Sequence, residues 1–258
     1  MNPRQTSERD ADQRPSAAND AVALAERSPP DPGTAAVRAV ASAAKAAAPA
    51  CAAAAGPRRW TGPLVTLTGG SAIARWLMRL AGWKIAFNGL PGRQGVVMVY
   101  PHTSNWDFPI GVFTKWSLGF RLRFWAKDSL FKLPIVGHWM RGIGGVAVNR
   151  REATGLVGQT VEQIRQARAR DDWYWLIVAP EGTRGYVDSW KSGAYHVAVQ
   201  SGVPVGLASF DYATRTVVFT DFVEVSGDAD RDFALFAEVL QGRRGKHQDQ
   251  AGAIRLRR

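Results

Sequence analysis

The sequence predicts an α/β fold: a single mostly parallel or mixed sheet flanked by helices, behind a disordered amino-terminal tail. Three observations carry this. Short apolar runs bounded by turn residues have the look of strands buried on both faces. Amphipathic helical patterns alternate with them, as crossover helices do. The composition also changes abruptly at Trp60, and all ten tryptophans lie between Trp60 and Trp190.

Residues 1–58 consist mainly of Ala, Pro, Ser, Arg and Asp with no aromatic side chain, so they bury too little surface to offset their ordering entropy. Pro49 interrupts the alanine run 35–55, and the segment reads as a disordered extension or an over-long gene start. Within 59–83, Ile73, Trp76, Leu77, Leu80 and Trp83 lie at helical spacing with Arg75 and Arg79 beside them. That pattern suits an amphipathic helix in a membrane interface, and equally one packed on its own core. No uncharged apolar run reaches the roughly 18 residues that would span a bilayer.

From 84 to 241 the strands are expected at 95–100, 122–126, 145–148, 174–179, 203–209 and 216–225. The helices are expected at 106–118, 152–170, 193–200 and 230–240. The helix 152–170 presents Ala153, Val157, Val161 and Ile164 on one face, and 230–240 excludes Asp and Glu from its apolar side. Residues 242–258 read as a basic tail.

The chain of 258 residues carries 33 Lys and Arg against 22 Asp and Glu, a formal charge of +11. Seven basic and six acidic side chains fall within 1–58, so the excess belongs to the folded part and favours an anionic partner. The single Cys51 excludes an intrachain disulfide, a thiolate zinc cluster and a CxxC pair, and fits a reducing compartment.

Open α/β sheets place chemistry in loops beyond the carboxyl ends of strands. Three loops qualify. The first holds His102 and Asp107, and across a strand-to-helix turn Asp107 can accept the imidazole Nδ1 proton, leaving Nε2 as a general base. A histidine with a capping or packing role would have the same spacing. There is no Gly-x-Ser-x-Gly elbow, and Ser104 lies too close in sequence to His102 for in-line attack, so the base is expected to act on a substrate hydroxyl. The second loop supplies Arg150 and Arg151. The third, Glu181-Gly182-Thr183-Arg184, joins a glycine turn, whose N–H groups suit an oxyanion, to a guanidinium fork. Arg150 and Arg184 together match a phosphate monoester.

These blocks resemble the glycerolipid acyltransferase family, which includes the 1-acylglycerol-3-phosphate acyltransferases. His102 to Asp107 matches its His-x4-Asp motif, Gly144 to Arg150 resembles the second block, and Glu181 to Arg184 is identical to the third. Val203-Pro204-Val205 resembles the fourth, and Ala126 to Pro134 resembles the segment between the first two. The resemblance implies that His102 deprotonates the acceptor hydroxyl, oriented by Asp107, for direct attack on an acyl thioester. It implies that Lys127, Arg150 and Arg184 hold the acceptor phosphate, that Glu181, Gly182 and Thr183 shape the third loop of the substrate site, and that Val203, Pro204 and Val205 shape its apolar part. Acyl-CoA or acyl carrier protein would be the donor and a lysophospholipid the acceptor. Attachment would be peripheral, at the cytoplasmic face of a membrane, with no cofactor, no metal and no nucleic acid. Phe113, Trp116, Phe120, Phe124 and Trp125, interleaved with Lys115, Arg121, Arg123 and Lys127, would suit a surface facing anionic lipid, or a core helix and strand. Two alternatives remain. One is the same chemistry on a non-phosphate lipid. The other is a non-catalytic basic protein binding membrane or nucleic acid, which accounts for the charge but gives His102 and Asp107 no reason to follow a strand.

Overall fold

A computed structural model describes residues 56–148 and 155–257. Among these, eight strands form one mixed sheet: β1 (Arg58–Arg59), β2 (Lys84–Phe87), β3 (Gln94–Val99), β4 (Leu122–Lys127), β5 (Gly145–Val148), β6 (Tyr174–Val178), β7 (Val205–Asp211) and β8 (Thr216–Glu224). The spatial order is β1-β8-β7-β3-β6-β4-β5, and β2 pairs in parallel with β8 on the edge that β1 also uses. Strands β3 to β7 are mutually parallel and β8 is antiparallel to β7. Five carboxyl ends therefore open onto one edge of the sheet.

Alternation along each strand builds two cores. Val96 and Met98 of β3 join Leu176, Val205 and Leu207 on one face, covered by α5 (Leu156–Ala169), α6 (Gly193–Ser201) and α7 (Ala229–Leu240). Val97 and Val99 join Trp175, Ala208 and Phe210 on the other, beneath α1 (Ala72–Leu80) and α2 (Asp107–Leu118). Gly95 is required here, because a Cβ would lie 2.3 Å from the indole of the fully buried Trp175. A smaller cluster of Val112, Phe131, Met140 and Ile143 seats α3 (Asp128–Phe131) and α4 (Pro134–Gly142) against β4 and β5.

The helices start and stop on identifiable signals. Ser71 caps α1 by accepting the Ala74 N–H at 3.2 Å, and Pro134 opens α4 where its missing N–H costs nothing. Gly119, with φ of 66°, ends α2 in the left-handed region. Helix α1 buries Ala74 and Met78 and turns Ile73, Trp76, Leu77 and Leu80 outward. No helix among the described residues is long and apolar enough to cross a membrane.

Several expectations need correction. The strand expected from Val203 begins at Val205 and runs to Asp211. Helix α7 does not exclude acid from its buried side: Asp232 is fully buried, accepting from the Tyr195 hydroxyl (2.7 Å), the Ser226 N–H and Oγ (both 2.8 Å) and the Gly227 N–H (3.0 Å). Burial and that carboxylate push the Tyr195 phenol pKa up, so it remains a donor. Phe120 belongs to the core, and Trp116 is the exposed aromatic of the basic segment. Ala153 and the start of the helix expected from 152 lie outside the described residues.

Candidate active site

The loop Pro101–Trp106 leads from β3 into α2, and the turn brings His102 and Asp107 together. His102 Nδ1 lies 3.0 Å from Asp107 Oδ2, with the imidazole 20% exposed and the carboxylate 1%. Asp107 opens α2, where the helix dipole favours its charge. Two further donors engage it: Oδ2 accepts the Ser104 N–H at 3.1 Å and Oδ1 the Tyr212 hydroxyl at 2.7 Å. A carboxylate held by three donors fixes the imidazole tautomer, and no group among the described residues bonds to Nε2. Burial and the Asp107 carboxylate push the Tyr212 phenol up, keeping its proton in place for the hydrogen bond.

Glu181 sits at the carboxyl end of β6, beside β3, and is 2% exposed. Its Oε2 accepts the backbone N–H of His102 at 2.7 Å, and its Oε1 accepts that of Gly252 at 2.8 Å. It therefore joins the first loop, the third loop and the carboxyl-terminal segment. Burial pushes its carboxyl above the usual carboxylate range, while the two N–H donors pull the other way.

The remaining candidates surround this centre. Gly182, with φ of 68°, forms the turn that only glycine adopts easily, and a Cβ there would meet the Lys191 side chain at 2.6 Å. Its N–H donates to Ala179 O at 3.0 Å, so that group is spent within the turn rather than left for an oxyanion. Thr183 Oγ1 accepts the Gly185 N–H at 3.4 Å, and Arg184 is exposed. Lys127 is exposed at the end of β4, in register with Val148 at the end of β5. Arg150 and Arg151 lie outside the described residues. Pro204 and Val205 lie at the amino-terminal side of β7, where Pro204 O accepts the Val96 N–H, and Val203 and Val205 belong to the core. They stand at the opposite end of the strands from His102.

Two contributors escape a motif search. Tyr212 follows β7, a strand parallel to β3, so the same carboxyl-end rule that selects the three loops selects it once the strand is known to end at Asp211. The other is the carboxyl-terminal segment. The His247 N–H donates to Thr103 Oγ1 at 3.2 Å, the Arg244 carbonyl accepts the Tyr212 N–H at 2.9 Å, and the Lys246 ammonium lies 5.7 Å from the centre of the Trp106 ring. A Cβ on Gly252 would lie 2.8 Å from Val187 O, so the segment docks by close backbone approach.

A family model described as Acyltransferase matches residues 84–206. A 1-acyl-sn-glycerol-3-phosphate acyltransferase of Arabidopsis thaliana, chloroplastic LPAT1, is 29% identical over 129 residues, covering 48% of this chain and 35% of that protein. The chloroplastic 1-acyl-sn-glycerol-3-phosphate acyltransferase BAT2 of Brassica napus is 28% identical over 110 residues, covering 40% of this chain and 30% of that protein. The chain thus spans about a third of the length of the curated relatives it matches. No solved structure gives a significant match. His102, Asp107 and the third loop all fall inside the matched stretch: residues 84–206 match the acyltransferase family model and hold an imidazole and a carboxylate paired as such chemistry needs.

Proposed function

We propose that the enzyme moves a fatty acyl group from a thioester, acyl-CoA or acyl carrier protein, to the hydroxyl of a lysophospholipid such as 1-acylglycerol-3-phosphate. The observation that carries this reading is the Nδ1–Asp107 contact of 3.0 Å, which leaves Nε2 as the basic atom of a part-exposed imidazole. Nε2 takes the acceptor's hydroxyl proton as its oxygen forms a bond to the thioester carbonyl carbon. The tetrahedral oxyanion then collapses, the C–S bond breaks, and the imidazolium returns its proton to the departing thiolate. No acyl-enzyme is required. Asp107 remains ionised throughout, steadying the imidazolium between the two steps.

Lys127 and Arg184, both exposed at the carboxyl edge of the sheet, supply positive charge for the acceptor phosphate, together with Arg150 from the sequence pattern. Glu181 positions the His102 backbone rather than touching substrate. The outward apolar side of α1 supports peripheral attachment to a bilayer, the acceptor's own medium, and we assign that bilayer's cytoplasmic face.

The test is thiol release with acyl-CoA and acyl carrier protein donors against lysophosphatidic acid, other lysophospholipids and a non-phosphate lipid. Acceptor-dependent release favouring the phosphate monoester supports the reading. Preference for the non-phosphate lipid overturns the acceptor assignment, and absence of release with every pair overturns the whole.

A further inference from the structure

A cleft of about 880 Å³ opens at the other edge of the sheet, where β4, β5 and β6 begin. Trp175, in its wall, pairs with Gly95 of β3, so four residues of strand, about 13 Å, separate that row from Val99 and the loop bearing His102. This cleft is therefore separate from the catalytic centre.

Its lining combines two chemistries. Lys115, Arg121, Arg123 and Arg141 contribute four cations and no carboxylate lines it. Among the described residues none of the four forms an ion pair; each that is held meets a neutral group. The Lys115 ammonium donates to the Ile143 carbonyl, Arg123 lies over the Tyr174 ring at 5.1 Å, and Arg141 over the Phe131 ring at 5.7 Å. Like charges gathered on a concave, partly apolar surface repel one another until an anion neutralises them. The apolar wall includes Ile73 and Leu77 of α1, which continue outside the cleft into the exposed Trp76 and Leu80. Opposite α1 in the lining, α4 contributes its last residues, Arg141 and Gly142. The apolar surface of α1 thus borders one basic depression.

Charge on the floor and hydrocarbon along α1 match an anionic amphiphile, and we propose that the cleft seats one anionic phospholipid of the bilayer, its phosphate among Arg121, Arg123 and Arg141 and its chains along the outer side of α1. Helix α1 links this seat to the catalytic end. At its start the Ser71 N–H donates to Trp116 O beside the cleft, and just beyond its end Trp83 packs edge-on against Tyr212 at 5.0 Å, next to Asp107. A lipid held in the cleft lays α1 along the membrane and so sets the side from which the dyad meets a membrane-borne acceptor.

The test reads binding rather than turnover, so it stands or falls separately from the acyl-transfer assignment. The full chain is sedimented with phosphatidylcholine vesicles with and without phosphatidylglycerol. Wild type is expected to prefer the anionic vesicles. Arg121→Gln with Arg123→Gln should lose about fivefold in affinity for each charge removed. Arg165→Gln with Arg168→Gln, an equal charge change on α5 across the sheet, should lose less than twofold in all. Equal losses in the two double variants, or no loss in the first, would overturn the seat. Inorganic phosphate competing at matched ionic strength would identify a free anion as the occupant and overturn the lipid assignment, whereas its failure to compete supports it.

Discussion

Tyr212→Phe removes one oxygen from the hydrogen-bonded group of His102, Asp107 and Tyr212 and leaves the rest in place. The Phe ring keeps the edge contact with Trp83, so the fold should survive unchanged, while Asp107 Oδ1 loses its donor at 2.7 Å. The carboxylate retains the Ser104 N–H and His102 Nδ1. A hydrogen bond to a charged group contributes about 1.5–3 kcal/mol. Full expression of that amount in the transition state, where the imidazolium leans on an ionised Asp107, would lower kcat by roughly 10- to 150-fold. The two surviving donors place the expected loss near the lower end, about tenfold. The hydroxyl is already engaged by Asp107, so both KM values should move less than about twofold. The assay is thiol release at saturating substrates across pH, with thermal melting as the control for folding. An unchanged kcat, or a loss confined to KM, would refute the role of Tyr212 as a positioning residue.

Other perturbations test separate parts of the structure. Burial places the Glu181 pKa above its ordinary value of 4.5, so between the two values the folded chain holds a proton that the unfolded chain has released. Stability from this group is therefore lost as pH rises through that window and gained on acidification. Melting curves of wild type and Glu181→Gln should diverge there, and parallel Tm–pH curves would contradict the assignment. Asp232→Ala strands four donors around a buried carboxylate and should cost about 3–5 kcal/mol, lowering Tm by roughly 10 °C with little change in kcat at low temperature. A Tm within about 2 °C of wild type would show that the cluster contributes little. Trp76→Ser with Leu80→Ser alters side chains that are 60% and 71% exposed. Tm should hold while vesicle binding falls, and undiminished binding would remove α1 from the membrane contact.

The parallel strands were readable because burial on both faces makes Gly-Val-Val-Met-Val and Tyr-Trp-Leu-Ile-Val continuous apolar runs, bounded by turn residues. The His–Asp pair was readable from its place after such a run. Periodicity failed where a polar group is buried for a local reason. Asp232 looks like a solvent-facing acid on an amphipathic helix, yet it caps the neighbouring Ser226–Gly227 turn and receives the hydroxyl of Tyr195, 37 residues away in sequence. Helix α4 was missed because Pro-Ile-Val-Gly-His-Trp-Met has no charged stripe to define its outer face, and the structure leaves that face apolar. The carboxyl-terminal segment was missed because its contacts run through backbone groups and two glycines, which carry no composition signal. Tyr212 required only a correct end for β7.

The most direct test of the catalytic assignment is single-turnover acyl transfer by His102→Ala. Glu181 bonds to the backbone N–H at this position, so the variant keeps the link between the loops and loses only the imidazole. The account predicts a fall of about 10²- to 10⁴-fold in rate with an unaltered melting temperature. Transfer at a rate within a few-fold of wild type would contradict it.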